Sequence, residues 1–523
     1  MPASAEQQQA TSHCGVSIMK YLLGIDDGGS ITKAALYKPD GTLVASRCGD
    51  HVPLHTPGPG LTERDMDALW RSNVTAIHRV LDASGISGND IAAVSATGHG
   101  NGLYMVDDEG RPTYNAIIST DERAELLVED WRKDSHFATD ILPRTAQSLW
   151  PGQPPALLSW LQRHRPEVIE RSCWALLASG FVRMRLTGQA TNNISDASGT
   201  SLFNVSQREY DADVMNFYGI GELAHLMPPV VESDQQAGTV TPRAAAETGL
   251  AAGTPVAGGV FDIASSALAS GLVEMNRLAI VTGTWSINEF VSSAPVVDPD
   301  LFMTSIYPPP NAWLITEGSP TSAGVFEWFI NSVLNPAMEL SGHELPSRQE
   351  LYKLINKVVF STHTEHSDAP SFLPFVFGNS AYPTVRGVFS RIQASTGLAD
   401  ILRSIYEGII FSHMDHIARL ERIQPLSEEA VFTGGIANSP QWTQMFCDAT
   451  QRPLHVVQVN EAGTLGTVMA AAAMIGEYSN VLEAAREMAP EHRELIPNPT
   501  KAGLFADHYD AWRETLNKET SHD

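Results

Sequence analysis

The sequence predicts an α/β protein built from two domains of about 250 residues each. The chain has 523 residues, and at roughly 100–200 residues per domain this length gives two large domains or three smaller ones. In each half a β-like run leads into a turn of Gly, Ser and Thr, first at residues 28–30 and again at residues 283–286. We place the boundary near residue 272, just after a run of small side chains.

Three β-like runs open the first domain, and turns separate them. The runs occupy residues 21–25, 34–37 and 43–46. Apolar residues then recur mostly at spacings of three and four, which predicts an amphipathic helix. The residues of this apolar face are Met66, Leu69, Trp70, Val74, Ile77 and Leu81. The rest of the domain is predicted as a buried strand at 90–97, a mainly helical region at 151–188 and a turn-rich region at 189–236.

The second domain begins with a β-like run at residues 278–282, which turns sharply at Gly283. A later strand ends at Thr433. Residues 465–475 predict a helix that is buried on most faces, because nearly all of its side chains are apolar.

These elements divide the chain into two domains and two tails. The predicted segments are a disordered tail without signal-peptide features at 1–19, an N-terminal domain at 20–272, a C-terminal domain at 273–496 and a polar, helical tail at 497–523.

Acidic residues dominate the charge of the chain. Lys and Arg number 34 against 60 Asp and Glu, so the formal net charge is −26. Nucleic-acid binders and proteins bound to anionic membranes need basic surfaces, and both classes are therefore excluded. The sequence contains no run of about 18 apolar residues, so no membrane span is predicted. The 4 cysteines include no CxxC pair, which fits a reducing compartment. We expect a cytoplasmic protein that holds any anion through backbone amides, a few cations or a metal.

The first turn, residues 24–33 (GIDDGGSITK), has the composition of a phosphate-binding loop. Adjacent glycines let backbone N–H groups approach phosphate oxygens closely. Asp26, at the end of the strand, is suited to holding a hydrated metal ion. The alternative is an ordinary hairpin turn, since Asp-Gly and Gly-Gly are common hairpin dipeptides.

Two turns in the second half have a similar character. Residues 281–286 (VTGTWS) form another tight turn, and residues 432–439 (FTGGIANS) follow a strand and precede a helical segment. The glycine pair of the latter would let a flat ring or a phosphate lie against the backbone, and Asn438 could bond a nucleotide edge. The alternative is a helix N-terminus capped by Asn or Ser. Walker A and GxGxxG patterns are absent, so P-loop and Rossmann sites are not supported.

Asp262 is the candidate general base, because it lies between a glycine pair and a helix start rich in small residues. It could equally be a helix cap. His99 and Asn101 lie among three glycines after a strand, where both could reach into a cleft or form part of a surface loop. Asp121 and Arg123 follow a short apolar run and suit a hydroxyl-rich ligand, or else form a salt bridge.

In this order and spacing, the turns resemble those of the FGGY carbohydrate kinases. The similarity runs from about residue 21 to about residue 476 and includes further pieces at 372–375, 406–409 and 461–466. It implies a ribonuclease H-like fold in each half, as in the superfamily of sugar kinases, actin and heat-shock ATPases, with the two domains flanking a catalytic cleft.

The resemblance also implies residue roles, with ATP and Mg²⁺ as cofactors. Asp262 aligns with the catalytic base and Asp26 with the carboxylate that organises magnesium. His99, Asn101 and Asp121 fall in segments that contact or border the sugar, as does Asp262. The implied ATP- and phosphate-binding residues are Gly28, Gly29, Ser30, Thr32, Lys33, Gly283, Thr284, Gly434, Gly435 and Asn438.

Within the family, residues 119–123, 283–285, 317–322 and 411–414 resemble the L-xylulose kinase branch. That branch usually carries Gln and Lys where this chain has His99 and Asn101. The Arg-Glu pair of glycerol kinases is missing as well, which makes glycerol a poor candidate.

The expected function is ATP-dependent phosphorylation of a primary hydroxyl of a ketose, such as the pentulose L-xylulose. The alternatives are a polyol kinase with an erythritol-like substrate and an actin-like nucleotide switch. The expected partner is a small-molecule sugar, without nucleic acid or membrane, and a homodimer is the assembly to consider.

Overall fold

The computed structural model describes residues 20–521, apart from Ser30, His343, residues 362–367 and Ser380. The predicted tail at residues 1–19 and the predicted phosphate-binding residue Ser30 therefore lie outside the described residues.

The first half of the chain contains a central sheet and several short strand pairs. Its strands are β1 (Tyr21–Asp27), β2 (Thr32–Tyr37), β3 (Leu43–Cys48), β4 (Glu63–Arg64), β5 (Ile91–Gly98), β6 (Tyr104–Val106), β7 (Ala116–Ile117), β8 (Trp174–Leu176), β9 (Asn192–Asn193), β10 (Phe203–Asn204), β11 (Glu209–Tyr210), β12 (Val230–Val231), β13 (Gln236–Thr239) and β14 (Pro255–Ala257). Its α-helices are α1 (Met66–Ser84), α2 (Glu125–Lys133), α3 (Leu142–Thr145), α4 (Pro154–His164), α5 (Pro166–Arg171), α6 (Ala178–Thr187), α7 (Ile194–Ala197), α8 (Ala212–Phe217), α9 (Pro242–Thr248) and α10 (Asp262–Ala269).

The second half repeats the plan with longer helices. Its strands are β15 (Leu278–Thr282), β16 (Ser286–Ser292), β17 (Met303–Tyr307), β18 (Ala312–Ser319), β19 (Ser371–Leu373), β20 (Val388–Ser390), β21 (Ala430–Gly434), β22 (Leu454–Val457) and β23 (His492–Leu495). Its α-helices are α11 (Ala323–Phe329), α12 (Asn335–Leu340), α13 (Arg348–Ser361), α14 (Leu398–Ile423), α15 (Pro440–Thr450), α16 (Ala462–Met474), α17 (Val481–Met488) and α18 (Ala502–Thr520).

The two central sheets share a common arrangement of six strands. The first has the order β13-β14-β5-β1-β2-β3, and the second has the order β17-β18-β16-β15-β21-β22-β23. In each, antiparallel strands follow on one edge of the first strand, and two parallel strands and an antiparallel edge strand follow on the other. The second sheet has one further strand, β17, beyond β18. This repeated arrangement confirms the predicted pair of ribonuclease H-like domains.

Helices α10 and α16 lie between the two sheets and pack against each other. Their small side chains, such as Ala267 and Ala471, share one buried cluster with Leu22 of β1 and Ala279 of β15. Small residues allow this close approach, so the N-termini of both helices meet beside the end of β1. A hydroxyl–carbonyl bond of 2.7 Å from Ser265 to Gly463 joins the two helix starts.

The predicted elements of the N-terminal meander, the first helix and the buried helix near residue 470 are all confirmed. The region 151–188 is mainly helical as predicted, although it also contains the short strand β8. The helix predicted for the tail is present as α18, but it is not polar all round. Phe505, Trp512 and Leu516 are buried in the core of the second half. Among the described residues, no helix has the length and apolar character needed to cross a bilayer.

Candidate active site

The first turn connects β1 to β2, so its geometry is that of a hairpin connection. The buried Arg64, on β4, donates to the carbonyl oxygens of Gly28 (3.2 Å) and Gly29. Thr32 is also buried, and its hydroxyl is hydrogen-bonded to that of Ser72. Hydrogen bonds on both sides therefore hold the half-buried Gly28 and the exposed Gly29 in place.

Lys33, on β2, reaches across to the start of α16. Its ammonium group lies 3.3 Å from the carboxylate of Glu461, which also accepts a 2.8 Å hydrogen bond from Ser46. Tyr37 and Thr464 join the same two elements through a 2.7 Å hydroxyl pair. These bonds hold the N-terminus of α16 against the first sheet.

Two carboxylates end β1. Asp27 is fully buried, and burial raises its pKa to about 7, while Arg64 opposes the rise. Asp26 is partly exposed, and burial raises its pKa to about 6, with Lys33 lowering it and Glu461 raising it. A side chain at Gly463 would come within 2.5 Å of the Asp26 carboxylate. Asp26 therefore lies directly beside the start of α16.

The second turn, residues 283–285, connects β15 to β16 and is also a hairpin connection. The third turn follows β21, the parallel neighbour of β15, with Thr282 and Gly434 in register. Gly434 has a φ of 104°, and a Cβ there would meet the backbone of Thr282 at 2.6–2.8 Å. The structure thus brings the second and third turns together at one edge of the sheet.

Gly435 and Asn438, the other residues predicted in the third turn, are exposed. The following helix, α15, is capped by Ser439, whose hydroxyl accepts from the backbone of Trp442. The capping alternative is therefore right for Ser439, and Asn438 is not the cap. The side-chain amide of Asn438 is therefore accessible to a ligand.

Asp262 is the first residue of α10, and the N-cap position belongs to Phe261. The Asp262 carboxylate accepts a 2.7 Å bond from the adjacent Ile263 amide. Burial raises its pKa well above the ordinary range, and the negative charges of Asp26 and Asp196 raise it further. These couplings place Asp262 in the same electrostatic environment as the end of β1.

A clamp of side chains holds the backbone just before Asp262. The fully buried Asn193 donates to the carbonyl oxygen of Gly259 at 2.6 Å. The hydroxyl of Ser195 accepts from the amide of Phe261 at 2.9 Å. Because both groups bond the backbone on the N-terminal side of Asp262, they fix the point at which α10 starts.

His99 and Asn101 lie in a tight loop after β5. His99 is buried, its Nε2 lies 2.7 Å from the hydroxyl of Tyr104, and burial lowers its pKa to about 4. Asn101 has a φ of 59°, and its buried Oδ1 has no hydrogen-bond partner within the described part of the chain. A Cβ at Gly100 would lie 2.2 Å from the ring of Phe261, so this loop packs directly on the residue before Asp262.

Asp121 is engaged within the protein. Its oxygens accept from Arg123 at 2.7 and 2.9 Å and from the Thr62 amide at 2.6 Å. Arg123 also pairs with Glu63 at 2.8 Å, and both side chains are buried. The salt-bridge alternative is therefore present in a buried form. These ion pairs and the bond from Thr62 hold the loop at residues 117–123 against β4 and the residue before it.

The oxygen-donor set at this point of the cleft fits Mg²⁺. Magnesium is usually held by one or two carboxylates together with substrate phosphates and waters, not by an all-protein cage. The described ranges contain no cluster of three or more His, Cys, Asp or Glu side chains arranged for a metal. Asp26 offers a partly exposed carboxylate whose pKa is raised, and a nearby cation would favour its charged form.

Sequence comparison assigns both halves to one family. The model for "FGGY family of carbohydrate kinases, N-terminal domain" matches residues 21–269, and the C-terminal counterpart matches residues 278–475. The chain belongs to the FGGY family of carbohydrate kinases. It is therefore a phosphotransferase that uses ATP to phosphorylate a hydroxyl group of a sugar.

Individual relatives of this FGGY kinase cover nearly its whole length. It is 35% identical over 502 residues to the L-xylulose/3-keto-L-gulonate kinase of Escherichia coli (strain K12), covering 95% of this chain and 97% of the relative. A probable L-xylulose kinase of Pasteurella multocida (strain Pm70) is 33% identical over 497 residues, with 95% and 98% covered. Among solved structures, xylulose kinase from Rhodospirillum rubrum has a TM-score of 0.85 at 21% identity, with 95% and 99% covered, which shows the shared fold.

Sequence reasoning missed several supporting residues of this FGGY kinase site. Arg64 and Asn193 lie far from the glycine turns in sequence and carry no motif of their own. Asp196, which raises the pKa of Asp262, lies in the stretch interpreted only as rich in turns. The one local signal was the density of Asn, Ser, Thr and Asp at residues 191–200, which is unusual for a buried segment.

Proposed function

We propose that the protein phosphorylates a primary hydroxyl of a pentulose or a related ketose, with L-xylulose and 3-keto-L-gulonate as the first candidates. The names of the relatives with 33–35% identity support these candidates. The observation that carries the proposal is the position of Asp262. Its carboxylate lies at the start of α10, where the charge of Asp26 acts on it, and the loop of Asn101 packs on the preceding residue, Phe261. A coupled assay of ADP release with ketoses and polyols tests it directly.

In the proposed mechanism, Asp262 accepts the proton of the sugar hydroxyl as the hydroxyl oxygen attacks the γ-phosphorus of ATP. The bond between the γ-phosphorus and the bridging oxygen breaks, and ADP leaves with its electron pair. The raised pKa of Asp262 helps it to hold the proton. The amides of the first turn, together with Gly283 and Thr284, would bind the phosphates, while Gly434, Gly435 and Asn438 would bind the adenosine. Mg²⁺, when bound near Asp26, would neutralise charge on the phosphoryl oxygens. Lys33 pairs with Glu461, so its proposed help to the phosphates is electrostatic at longer range.

On the sugar side, the free acceptor of Asn101 would bond a sugar hydroxyl, while His99 and Asp121 would shape the pocket through Tyr104 and Arg123. We also predict a cytoplasmic location and a homodimer. Light scattering of the purified protein would test the predicted homodimer.

Replacing Asn101 with alanine is expected to raise KM for the sugar by roughly tenfold and to leave KM for ATP unchanged, because the variant removes a buried acceptor and nothing from the nucleotide side. Steady-state kinetics with each substrate varied in turn measures both constants. Asn101→Gly, which keeps the left-handed backbone available, should behave in the same way. Asn311→Ala is the matched control, since Asn311 also has a positive φ (55°) but is exposed. An effect on KM for ATP alone would refute the substrate role.

As pH is lowered, kcat/KM should fall with a midpoint above the ordinary pKa range of an aspartate carboxyl group. Asp262 works as a base only when ionised, and its raised pKa means that activity is lost as pH falls through that value. Asp196→Asn removes one of the charges that raise this pKa, so the midpoint should move to lower pH. Asp211→Asn is the control, because Asp211 is buried and paired with Arg144. An unmoved midpoint in Asp196→Asn, or an equal shift in the control, would contradict the coupling.

A further inference from the structure

Two segments that mark the L-xylulose kinase branch in sequence, residues 317–322 and 411–414, meet behind the second phosphate turn. The first ends β18 and leads into α11, and the second lies in the middle of α14. β18 pairs with β16, so Ser319 stands directly opposite Ser286, the residue that closes the turn. The turn itself is exposed at Thr284 and Trp285, whereas the side chains that form hydrogen bonds beneath it are buried.

A chain of side-chain hydrogen bonds runs from α14 into the base of the turn. His413 Nδ1 lies 3.0 Å from Asn288 Oδ1, and Asn288 Nδ2 lies 3.0 Å from His416 Nδ1. His416 Nε2 then lies 3.0 Å from the hydroxyl of Ser319. Since an amide oxygen only accepts and an amide NH₂ only donates, His413 carries its proton on Nδ1 and His416 on Nε2.

His416 must be neutral for its Nδ1 to accept from Asn288, and burial favours the neutral form of both histidines. Burial lowers the pKa of His413 to about 3 and that of His416 well below its usual value. The nearby Arg419 also lowers the pKa of His416. The chain of donors and acceptors therefore has a fixed direction at neutral pH.

Thr321 joins this chain to the turn. Its hydroxyl lies 2.8 Å from that of Ser319 and 2.7 Å from that of Ser412, and it donates to the hydroxyl of Ser286 at 3.1 Å. All of these groups are buried, so water does not replace a lost partner without cost.

Backbone hydrogen bonds from the start of α11 also hold the turn. The amide of Ala323 donates to the carbonyl of Gly283 at 3.0 Å, and that of Gly324 donates to the carbonyl of Thr284 at 3.3 Å. Both donors follow Thr321 within three residues, at the start of α11. A shift of Thr321 would therefore move the support of both residues that are proposed to bind phosphate.

We propose that Thr321 is a positioning residue for the second phosphate turn and that the hydrogen-bond chain from His413 to Ser286 sets the affinity for ATP through it. This rests on the proposed role of Gly283 and Thr284 in binding phosphates. The two segments then act together in support of the proposed nucleotide site.

Thr321→Val tests this, because valine has nearly the same shape and removes the hydroxyl alone. We expect KM for ATP, and Kd for ATP by calorimetry, to rise roughly 5- to 100-fold, the range expected when buried hydroxyls lose a partner. KM for the sugar should not change, and Thr321→Ser should restore the wild-type values. Ser412→Ala removes one partner of Thr321 and should give a smaller rise in the same direction, which keeps the test available if Thr321→Val does not fold.

Thr248→Val is the matched control, since Thr248 is equally buried but bonds only within and just after α9 in the first half. An unchanged Kd for ATP in both Thr321→Val and Ser412→Ala would overturn the inference, and so would an equal rise in the Thr248→Val control. Thr284→Pro separates the two proposals, because proline removes both the backbone amide and the hydroxyl that this residue could offer to a phosphate. If this variant binds ATP like the wild type, the proposed phosphate role of Thr284 is wrong, whatever Thr321→Val does.

Discussion

Replacing Asp262 with asparagine is expected to lower kcat by roughly 10²–10⁴-fold while ATP binding is nearly unchanged. The amide keeps the size of the side chain but cannot accept the proton of the attacking hydroxyl. Because Asp26 and Asp196 raise the pKa of Asp262, the substitution also removes an electrostatically unfavourable charge. The variant should therefore fold at least as well as the wild type.

The measurement is kcat from a coupled ADP-release assay, with Kd for ATP from calorimetry and the melting temperature for folding. Asp448→Asn is a suitable control, because Asp448 is buried on α15 and is hydrogen-bonded to Gln444 and to the amide of Asn498. If Asp262→Asn turns over sugar at the wild-type rate, Asp262 is not the base.

Gly434→Ala is expected to raise KM for ATP by more than roughly tenfold. The residue has a φ of 104°, which costs any L-residue with a side chain of the order of 1–3 kcal/mol. The added Cβ would also lie within 2.8 Å of the backbone of Thr282, so β21 and the second turn would have to separate. Both of the turns that are proposed to bind the nucleotide would therefore be displaced.

Gly476→Ala isolates the backbone part of this effect. Gly476 has a φ of 79°, and a Cβ there would meet no atom within 4 Å. This control should lose stability but keep KM for ATP. A Gly434→Ala variant whose melting temperature falls while KM for ATP stays normal would show that the contact between the two turns does not serve nucleotide binding.

Local sequence patterns predicted the parts of the fold that depend on neighbours along the chain. The apolar runs of β1 and β15 and the small residues of α16 identify themselves, since a buried strand or helix needs apolar side chains over a continuous stretch. The glycine turns were recognisable from their local Gly, Ser and Thr composition, and the resemblance to the FGGY kinases joined them into one predicted site.

Long-range packing decided the remainder. Arg64 holds the first turn from β4, Asn193 holds the backbone before Asp262, and Thr321 links α14 to the second turn. Each bridges segments that are separated in sequence by about 35 to 90 residues, so no local period or spacing marks it. Asp121 is a related case, because the sequence left a hydroxyl-rich ligand and a salt bridge open, and the fold pairs it with Arg123.

The central claim, that this FGGY kinase phosphorylates a ketose with Asp262 as the base, is tested most directly by ADP release across pentuloses, 3-keto-hexonates and tetritols. The same panel is run with the wild type and with Asp262→Asn. We expect ATP-dependent ADP release to be stimulated most by a ketose, with L-xylulose or a 3-keto-hexonate leading, and to be lost in the variant. Stimulation by a tetritol and by no ketose, or release that persists in Asp262→Asn, would contradict the account.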